Sequence, residues 1–193
     1  MAKGDGGVLD LETHFSFYGA YHSNPGNILM HILCVWPIVF SSLMLIHYVE
    51  HILNLYGIVI HLGFLLTLCY SIFYLLLDKK AGMLASVLCF SCFVGATFLS
   101  SKLGPVLTWK VSLVAQAVCW TGQFIGHGVF EGRAPAFLDN FSQALLTAPF
   151  FVLLEVLKSA FGYEPYPGFH ERVKVKTDEH IKKWREVKGT KIR

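Results

Sequence analysis

Long apolar segments alternate with short polar ones along most of this chain. Four of them are long enough for an α-helix to cross the roughly 30 Å hydrocarbon core of a bilayer. These segments are Ile28–Tyr48, Asn54–Leu77, Gly82–Ser101 and Pro105–His127. A fifth apolar segment, Gln143–Leu157, is shorter and contains Pro149 and Glu155. The pattern predicts an all-α integral membrane protein with four transmembrane helices and a short re-entrant or interfacial C-terminal helix.

The first predicted helix, Asp10–His22, has a different pattern. Its aromatic residues and histidines recur at three- and four-residue spacing, as in helices that lie in the membrane interface. The stripe comprises Leu11, His14, Phe15, Tyr18, Tyr21 and His22. The sequence Asn24-Pro25-Gly26-Asn27 then ends the helix, and Asn27 is expected to cap the next one. Asp139 and Asn140 are expected to cap the last helix.

Charged residues are scarce and unevenly distributed. They make up 15% of the chain, whereas about a quarter is typical of soluble domains. Ten of the sixteen lysines and arginines lie at or after Lys158, and Lys79-Lys80 lies between the second and third apolar segments. The positive-inside rule places both groups in the cytosol, which requires an even number of crossings and puts both termini there.

This distribution predicts one membrane-embedded domain over residues 1–162 and a cytosolic basic tail over residues 163–193. The tail is expected to form an amphipathic helix near anionic lipid. A net charge of only +3 in a membrane-embedded chain argues against nucleic acid as a partner.

Two polar islands interrupt the apolar sequence and are expected at the same cytosolic face. One carries His22 and His31, and the other carries His127 and Glu131. His127 and Glu131 are four residues apart, so both project from one face of a continued helix. Ionisable groups at membrane depth are costly and usually functional. Two or three imidazoles with a carboxylate suit non-haem Fe(II), with zinc and manganese as rivals.

Simpler interpretations of these residues stay open. The histidines of the islands would also suit hydrogen bonds to lipid head groups or loop carbonyls. Arg133 would suit a bidentate bond to a substrate carboxylate, or a contact with lipid phosphate. His14 is a further candidate ligand on the same side of the first helix as His22. His47 and His51 are expected at the opposite membrane face.

The two islands resemble a known family. The matching blocks are Tyr21-His22-Ser23-Asn24-Pro25, with His31 beyond it, and Gln123-Phe124-Ile125-Gly126-His127-Gly128-Val129-Phe130-Glu131. They are similar to the endoplasmic-reticulum 2-hydroxy fatty acid dioxygenases, whose fungal member is named for metabolism of phytosphingosine to odd-numbered fatty acids. The resemblance extends from about Leu9 to Gly162 and leaves out the charged tail.

The resemblance implies an Fe(II)-dependent dioxygenase of the endoplasmic-reticulum membrane. It would use O₂ to carry out α-oxidation of 2-hydroxy fatty acids, giving fatty acids one carbon shorter. The family's histidines match His22, His31 and His127, and Glu131 falls in the same motif as a ligand or as support for one. The candidate substrate-binding residues are Arg133, Tyr18 and Gln123.

Three other classes compete with this hypothesis. A non-enzymatic lipid-binding or membrane-shaping protein would carry interfacial histidines and no metal. A di-iron lipid hydroxylase would need several histidine boxes with adjacent pairs, whereas only His47 and His51 offer an HxxxH-like box here. A protein with haem between two histidines is the third.

Overall fold

The computed structural model describes residues 7–48, 53–55, 58–135 and 141–191, which are helical over most of their length. The elements in chain order are α1 (Leu11–Tyr21), α2 (Pro25–Ile46), β1 (Leu53–Leu55), β2 (Ile58–Ile60), α3 (Leu62–Leu77), α4 (Lys79–Ile125), a π-helical segment (Gly126–Glu131), α5 (Phe141–Phe161) and α6 (Phe169–Lys191). The predicted cap residues Asp139 and Asn140, and His51, lie outside the described residues.

The first half of α4, residues 79–103, runs alongside α2 in the same direction. Gly95 packs against the ring of Phe40. Further along both helices, the hydroxyl of Tyr48 donates to the carbonyl oxygen of Ser100 at 2.6 Å. Positions advance together on the two helices, so this half is parallel to α2.

The second half of α4, residues 105–125, returns in the opposite direction. Gln116 Nε2 donates to the carbonyl oxygen of Ile38 at 3.0 Å, and Gly122 lies against Cys34, nearer the start of α2. Gly104 allows the reversal because its φ of +73° belongs to the left-handed region that glycine adopts without strain. The element α4 therefore consists of two helices that meet at Gly104, and these correspond to the third and fourth predicted helices as an antiparallel pair.

Two helices among the described residues are long and apolar enough to cross a membrane: Pro25–Ile46 and Lys79–Glu131. Apolar side chains on the outer surfaces of α2 and α4 are exposed, as a lipid-facing surface requires; examples are Leu33, Val87, Phe98, Val114 and Val118. The chain is thus helical with at least two candidate spans. Four crossings stay a prediction.

The second and fifth predicted segments differ from the structure at their ends. Asn54–Leu77 is wrong as a continuous helix, because α3 begins at Leu62 and a hairpin precedes it, in which Leu53 pairs with Ile60. Hydropathy does not separate a short strand from a helix, and the β-branched residues of β2 favour the strand. Gln143–Leu157 was predicted too short, since α5 has 21 residues.

Helix α1 packs against α5 and α6. Its Phe15 contacts Phe151 of α5 with ring centroids 5.2 Å apart and Phe169 of α6 at 5.7 Å. Tyr18 is also buried in this cluster. The predicted stripe is therefore a protein-packing face, and whether α1 also touches the membrane interface stays a prediction.

The basic tail forms α6, which lies along α1. Glu12 accepts from Arg172 at 2.9 Å and from Lys176 at 2.6 Å. Burial would raise the pKa of Glu12, but the hydrogen bonds from these two cations lower it. Thr177 Oγ1 also donates to the carbonyl oxygen of Ser16 at 3.2 Å. The tail helix is thus attached to α1, which ends directly before His22. The boundary between domain and tail at residue 162 stays a prediction.

We predict that Gly82→Ala destabilises the fold. A Cβ atom at Gly82 would collide with the carbonyl oxygen of Tyr74, where α3 turns into α4. Backbone atoms cannot move aside easily, so the free energy of unfolding should fall by about 1–3 kcal/mol. Thermal unfolding of the purified protein in detergent measures the change. In the control, Gly128→Ala, the added Cβ meets nothing within 4 Å, and equal melting temperatures for the two variants would contradict the prediction.

Candidate metal centre

The turn between α1 and α2 brings His22 and His31 together. The helix α2 begins at Pro25 and is capped by Asn24, whose side chain accepts from the Gly26 amide at 2.8 Å. The prediction that Asn27 is the cap is therefore wrong by one turn. Asn27 instead lies fully buried, and its Nδ2 donates to the carbonyl oxygen of Tyr21 at 3.0 Å. This bond fixes the end of α1 against the first turn of α2.

Gly122 of α4 and Gly126, the first residue of the π-helical segment, let the end of α4 approach the same place. A Cβ at Gly122 would be 3.0 Å from Cys34 Sγ, and one at Gly126 would collide with Asn27 Oδ1. Small residues four apart allow this close packing of apolar helices. The approach delivers His127, the first residue after Gly126, to the turn.

His22, His31 and His127 form one buried cluster. One ring nitrogen from each lies within 4.8 Å of the other two. The ring centroids are 4.2 Å apart for His22 and His31, and 4.9 Å apart for each of the other pairs. The structure thus brings His127 together with two residues that lie about a hundred positions earlier in the sequence.

Backbone carbonyls fix the orientation of two of the rings. Nδ1 of His22 lies 2.8 Å from the carbonyl oxygen of Tyr18, and Nδ1 of His31 lies 2.9 Å from that of Asn27. A carbonyl oxygen only accepts, so each Nδ1 carries the proton and each Nε2 keeps its lone pair. Metal-binding histidines typically donate the N–H of the ring nitrogen that does not bind the metal to a carbonyl or carboxylate oxygen in this way.

The surroundings also favour the neutral imidazole that binds metals. The ring of Tyr18 stacks on His22 with centroids 3.9 Å apart. Burial, followed by the neighbouring His31 and His127, holds the pKa of His22 well below its usual range. His22 is thus neutral and ready to coordinate at neutral pH.

Unsatisfied nitrogen atoms suggest that the cluster fits a metal ion. His22 Nε2 and His127 Nδ1 are buried and have no hydrogen-bond partner among the described residues. Leaving buried polar atoms unpaired is costly. A divalent ion between the three rings would satisfy them, and three imidazole ligands would leave coordination positions open. That these residues hold a metal stays a prediction.

Glu131 lies beside the cluster and supports the turn. Its Oε1 accepts from the backbone N–H of Asn24 at 2.7 Å and from Asn27 Nδ2 at 3.2 Å. It does not belong to the group of mutually close ligand atoms found among the described residues. Through Asn27 it is linked to the carbonyl that orients His31. These contacts describe a positioning residue, while its predicted role as a ligand stays untested.

Arg133 lies on the outer side of α1. Its Nη1 donates to the carbonyl oxygen of Ala20 at 3.1 Å, and its guanidinium sits between two aromatic rings, 3.5 Å from the centroid of Tyr21 and 4.9 Å from that of Trp184. It is not among the described residues that line the cavity at the histidines. Sequence reasoning missed this contact because it depends on where α6 docks.

A cavity of about 340 Å³ opens from the histidines into the bundle. Tyr18 and Gln123, the other two predicted substrate-binding residues, both line it, as does His14. Gln123 Nε2 lies 3.5 Å from the carbonyl oxygen of Met30. Helix α5 also contributes lining residues, which the sequence did not single out: Leu145, Thr147, Ala148, Pro149 and Phe151. Most of the wall is apolar.

Comparisons with known proteins identify a family that covers most of the chain. A family model described as "Mpo1-like: 2-hydroxy-palmitic acid dioxygenase Mpo1-like" matches residues 8–160. The chain is 38% identical over 151 residues to a protein of Saccharomyces cerevisiae named 2-hydroxy-palmitic acid dioxygenase MPO1. That match covers 78% of this chain and 82% of the yeast protein. No solved structure matches the chain.

We predict that Arg133→Ala loosens the contact of α6 with the rest of the protein. The variant loses two ring contacts and a hydrogen bond, together about 1–2 kcal/mol. Hydrogen exchange over residues 169–187 should therefore become faster. Lys110→Ala, which removes an exposed cation of α4, is the control and should leave the exchange unchanged. Unchanged exchange in Arg133→Ala, combined with weaker binding of a carboxylic acid, would instead support the substrate role expected from the sequence.

Proposed function

Because the chain belongs to the Mpo1-like family, we propose that it is an Fe(II)-dependent dioxygenase that carries out α-oxidation of 2-hydroxy fatty acids. The product is a fatty acid one carbon shorter. One observation carries the proposal: three buried imidazoles stand at the end of an apolar cavity. The family resemblance supplies the reaction, and the cavity supplies a place for the acyl chain.

His22, His31 and His127 would hold the iron through three neutral nitrogens. Ferrous iron bound there supplies the redox chemistry with O₂ and leaves coordination positions for the substrate. The carbonyl oxygens of Tyr18 and Asn27 hold the His22 and His31 rings in the orientation that this requires. The atoms balance with one O₂ per 2-hydroxy acid if the lost carbon leaves as CO₂ together with one water.

The polar atoms of the substrate would lie at the histidine end of the cavity. Gln123 lines this end and carries both a donor and an acceptor. Tyr18 has a buried hydroxyl with no hydrogen-bond partner among the described residues, so a polar substrate group would satisfy a costly buried donor. We propose these two residues, rather than Arg133, as the groups that contact the substrate head.

The proposed setting is the endoplasmic-reticulum membrane, with four crossings and both termini cytosolic. The antiparallel arrangement of α2, α3 and the two halves of α4 supports four crossings. His22, His31 and His127 then share the cytosolic face, because the first crossing begins where the fourth ends. His47 lies at the other end of α2, beside Ser101, and would face the opposite side.

We predict that alanine at any of the three clustered histidines abolishes both metal binding and turnover. Each substitution removes one ligand, and the remaining pair cannot hold iron in an open site. Metal analysis of purified protein and O₂ uptake on 2-hydroxypalmitate measure the two effects. His47→Ala is the matched control, because its ring lies about 24 Å along α2 from His31.

The outcomes of this experiment separate the competing classes. Normal chain shortening by an iron-loaded His127→Ala protein would contradict the proposal. Two iron ions per chain would favour a di-iron hydroxylase. A protein without metal that tolerates all three substitutions would be a lipid-binding protein, and a Soret band would indicate haem.

We predict that Glu131→Gln weakens iron binding without removing it. The amide has one acceptor oxygen and carries no charge, so the bonds from Asn24 and Asn27 become weaker and His31 loses part of its support. Removing such a supporting group typically costs 10–100-fold in metal affinity, and about tenfold is expected here. A competition titration with a chelator measures the affinity. Glu131→Ala should be worse than Glu131→Gln, and complete loss of iron in both would favour the role of ligand.

A further inference from the structure

We propose that the end of the cavity remote from the histidines, formed by Ile46 of α2 and Leu66 of α3, sets the longest acyl chain that the protein accepts. The inference rests on the proposed function for the identity of the chain. Its physical basis is the shape of the cavity, which follows from contacts independent of any metal.

One face of α2 lines the cavity along most of the helix. The lining positions recur every three or four residues, as one helical face requires. They are His31, Val35, Ile38, Val39, Ser42, Leu43 and Ile46. The distance from His31 to Ile46 is 15 residues, or about 22 Å along the axis. This length exceeds the roughly 15 Å of one leaflet, so only a long, extended acyl chain would reach from the histidines to Ile46.

Polar groups are confined mainly to one end of this groove. The histidines, Tyr18 and Gln123 line the end of the groove beside the start of α2. The remote part is lined mostly by Leu, Ile and Val side chains. A 2-hydroxy acid has the same distribution, with two polar groups at one end of a hydrocarbon. The cavity therefore orients such a molecule with its carboxyl end at the histidines.

Helix α4 closes the remote part of the groove on one side. Its last lining residue toward that end is Trp120. One turn further, Gln116 Nε2 donates to the carbonyl oxygen of Ile38 at 3.0 Å and to the hydroxyls of Ser41 and Ser42 at 2.9 Å each. These bonds join α4 to α2, and beyond this level the described lining residues come from α2 and α3.

Helix α3 forms the opposite wall and fixes the level of Leu66. Gly63 packs against Leu43 near the end of α2, and α3 then runs back toward the histidines. Leu66 is the α3 residue closest to the remote end among the described lining residues. Three residues beyond Gly63, it lies about one turn nearer the histidines than Leu43 does. Leu66 and Ile46 thus act at two different depths.

The experiment measures how binding and chain shortening depend on substrate length. Wild-type protein and variants in lipid nanodiscs receive 2-hydroxy acids of increasing length. Binding is followed without O₂, and turnover with O₂. Leu66→Trp should reject long acids by more than tenfold, because each excluded methylene costs about fourfold in affinity. Ile46→Trp should reject only the longest acids, and Leu66→Ala should extend the accepted range.

Leu65→Trp is the matched control for Leu66→Trp. Leu65 is the neighbouring residue, is 37% exposed and does not line the cavity. The Leu65→Trp substitution should therefore leave the length profile unchanged. Leu66→Ala covers the case in which Leu66→Trp does not fold. Length profiles equal to wild type in the Leu66 and Ile46 variants would overturn the inference. Normal chain shortening in the same variants would leave the proposed function intact. A shifted binding profile without turnover would support the length limit and count against the proposed reaction.

Discussion

The site depends on one buried amide. Asn27 donates from Nδ2 to the carbonyl oxygen of Tyr21 and to Glu131 Oε1. The backbone carbonyl oxygen of Asn27 lies 2.9 Å from His31 Nδ1. Its Oδ1 lies against Gly126, the residue before His127. A single fully buried side chain therefore touches the end of α1, the start of α2 and the end of α4. The Nδ2 group of this amide is hydrogen-bonded, whereas its Oδ1 is buried without a hydrogen-bond partner among the described residues. The two bonds from Nδ2 and the close contact at Gly126 hold these three segments in one arrangement.

The third ring, beside this amide, is carried on an irregular helix. The α-helix ends at Ile125 and continues as a π-helix from Gly126 to Glu131. Wider turns of this kind occur often at functional sites. Here the wider turn presents His127 to the cluster while Glu131 reaches the amide of Asn24. Gly132 follows with φ +60° and ends the segment in the left-handed region. Both side chains are thus placed by one short irregular segment.

Much of this arrangement was predictable from the sequence, and the remainder depends on tertiary contacts. The four apolar helices follow from hydropathy, and the Asn-Pro-Gly-Asn turn predicts that His22 folds back toward His31. The role of Asn27 was not predictable, because a buried amide and a cap residue have the same sequence signal. Nor was the place of Arg133, since its partner Trp184 lies on a tail whose docking is set by packing against α1. Local patterns thus specify elements, whereas side-chain partners depend on how the elements meet.

The position of α6 links the part of the chain outside the family match to the site. The match ends at residue 160, yet α6 contacts α1 from Glu12 to Phe17 through ion pairs, a hydrogen bond and ring contacts. Since α1 ends at Tyr21, directly before His22, α6 packs against the helix that leads into the cluster. Glu12 is partly exposed and its ion pairs are screened by salt. The aromatic contacts of Phe169 with Phe15 are buried and are not screened. The contacts at the apolar end of α6 are therefore the part of the attachment that salt does not weaken.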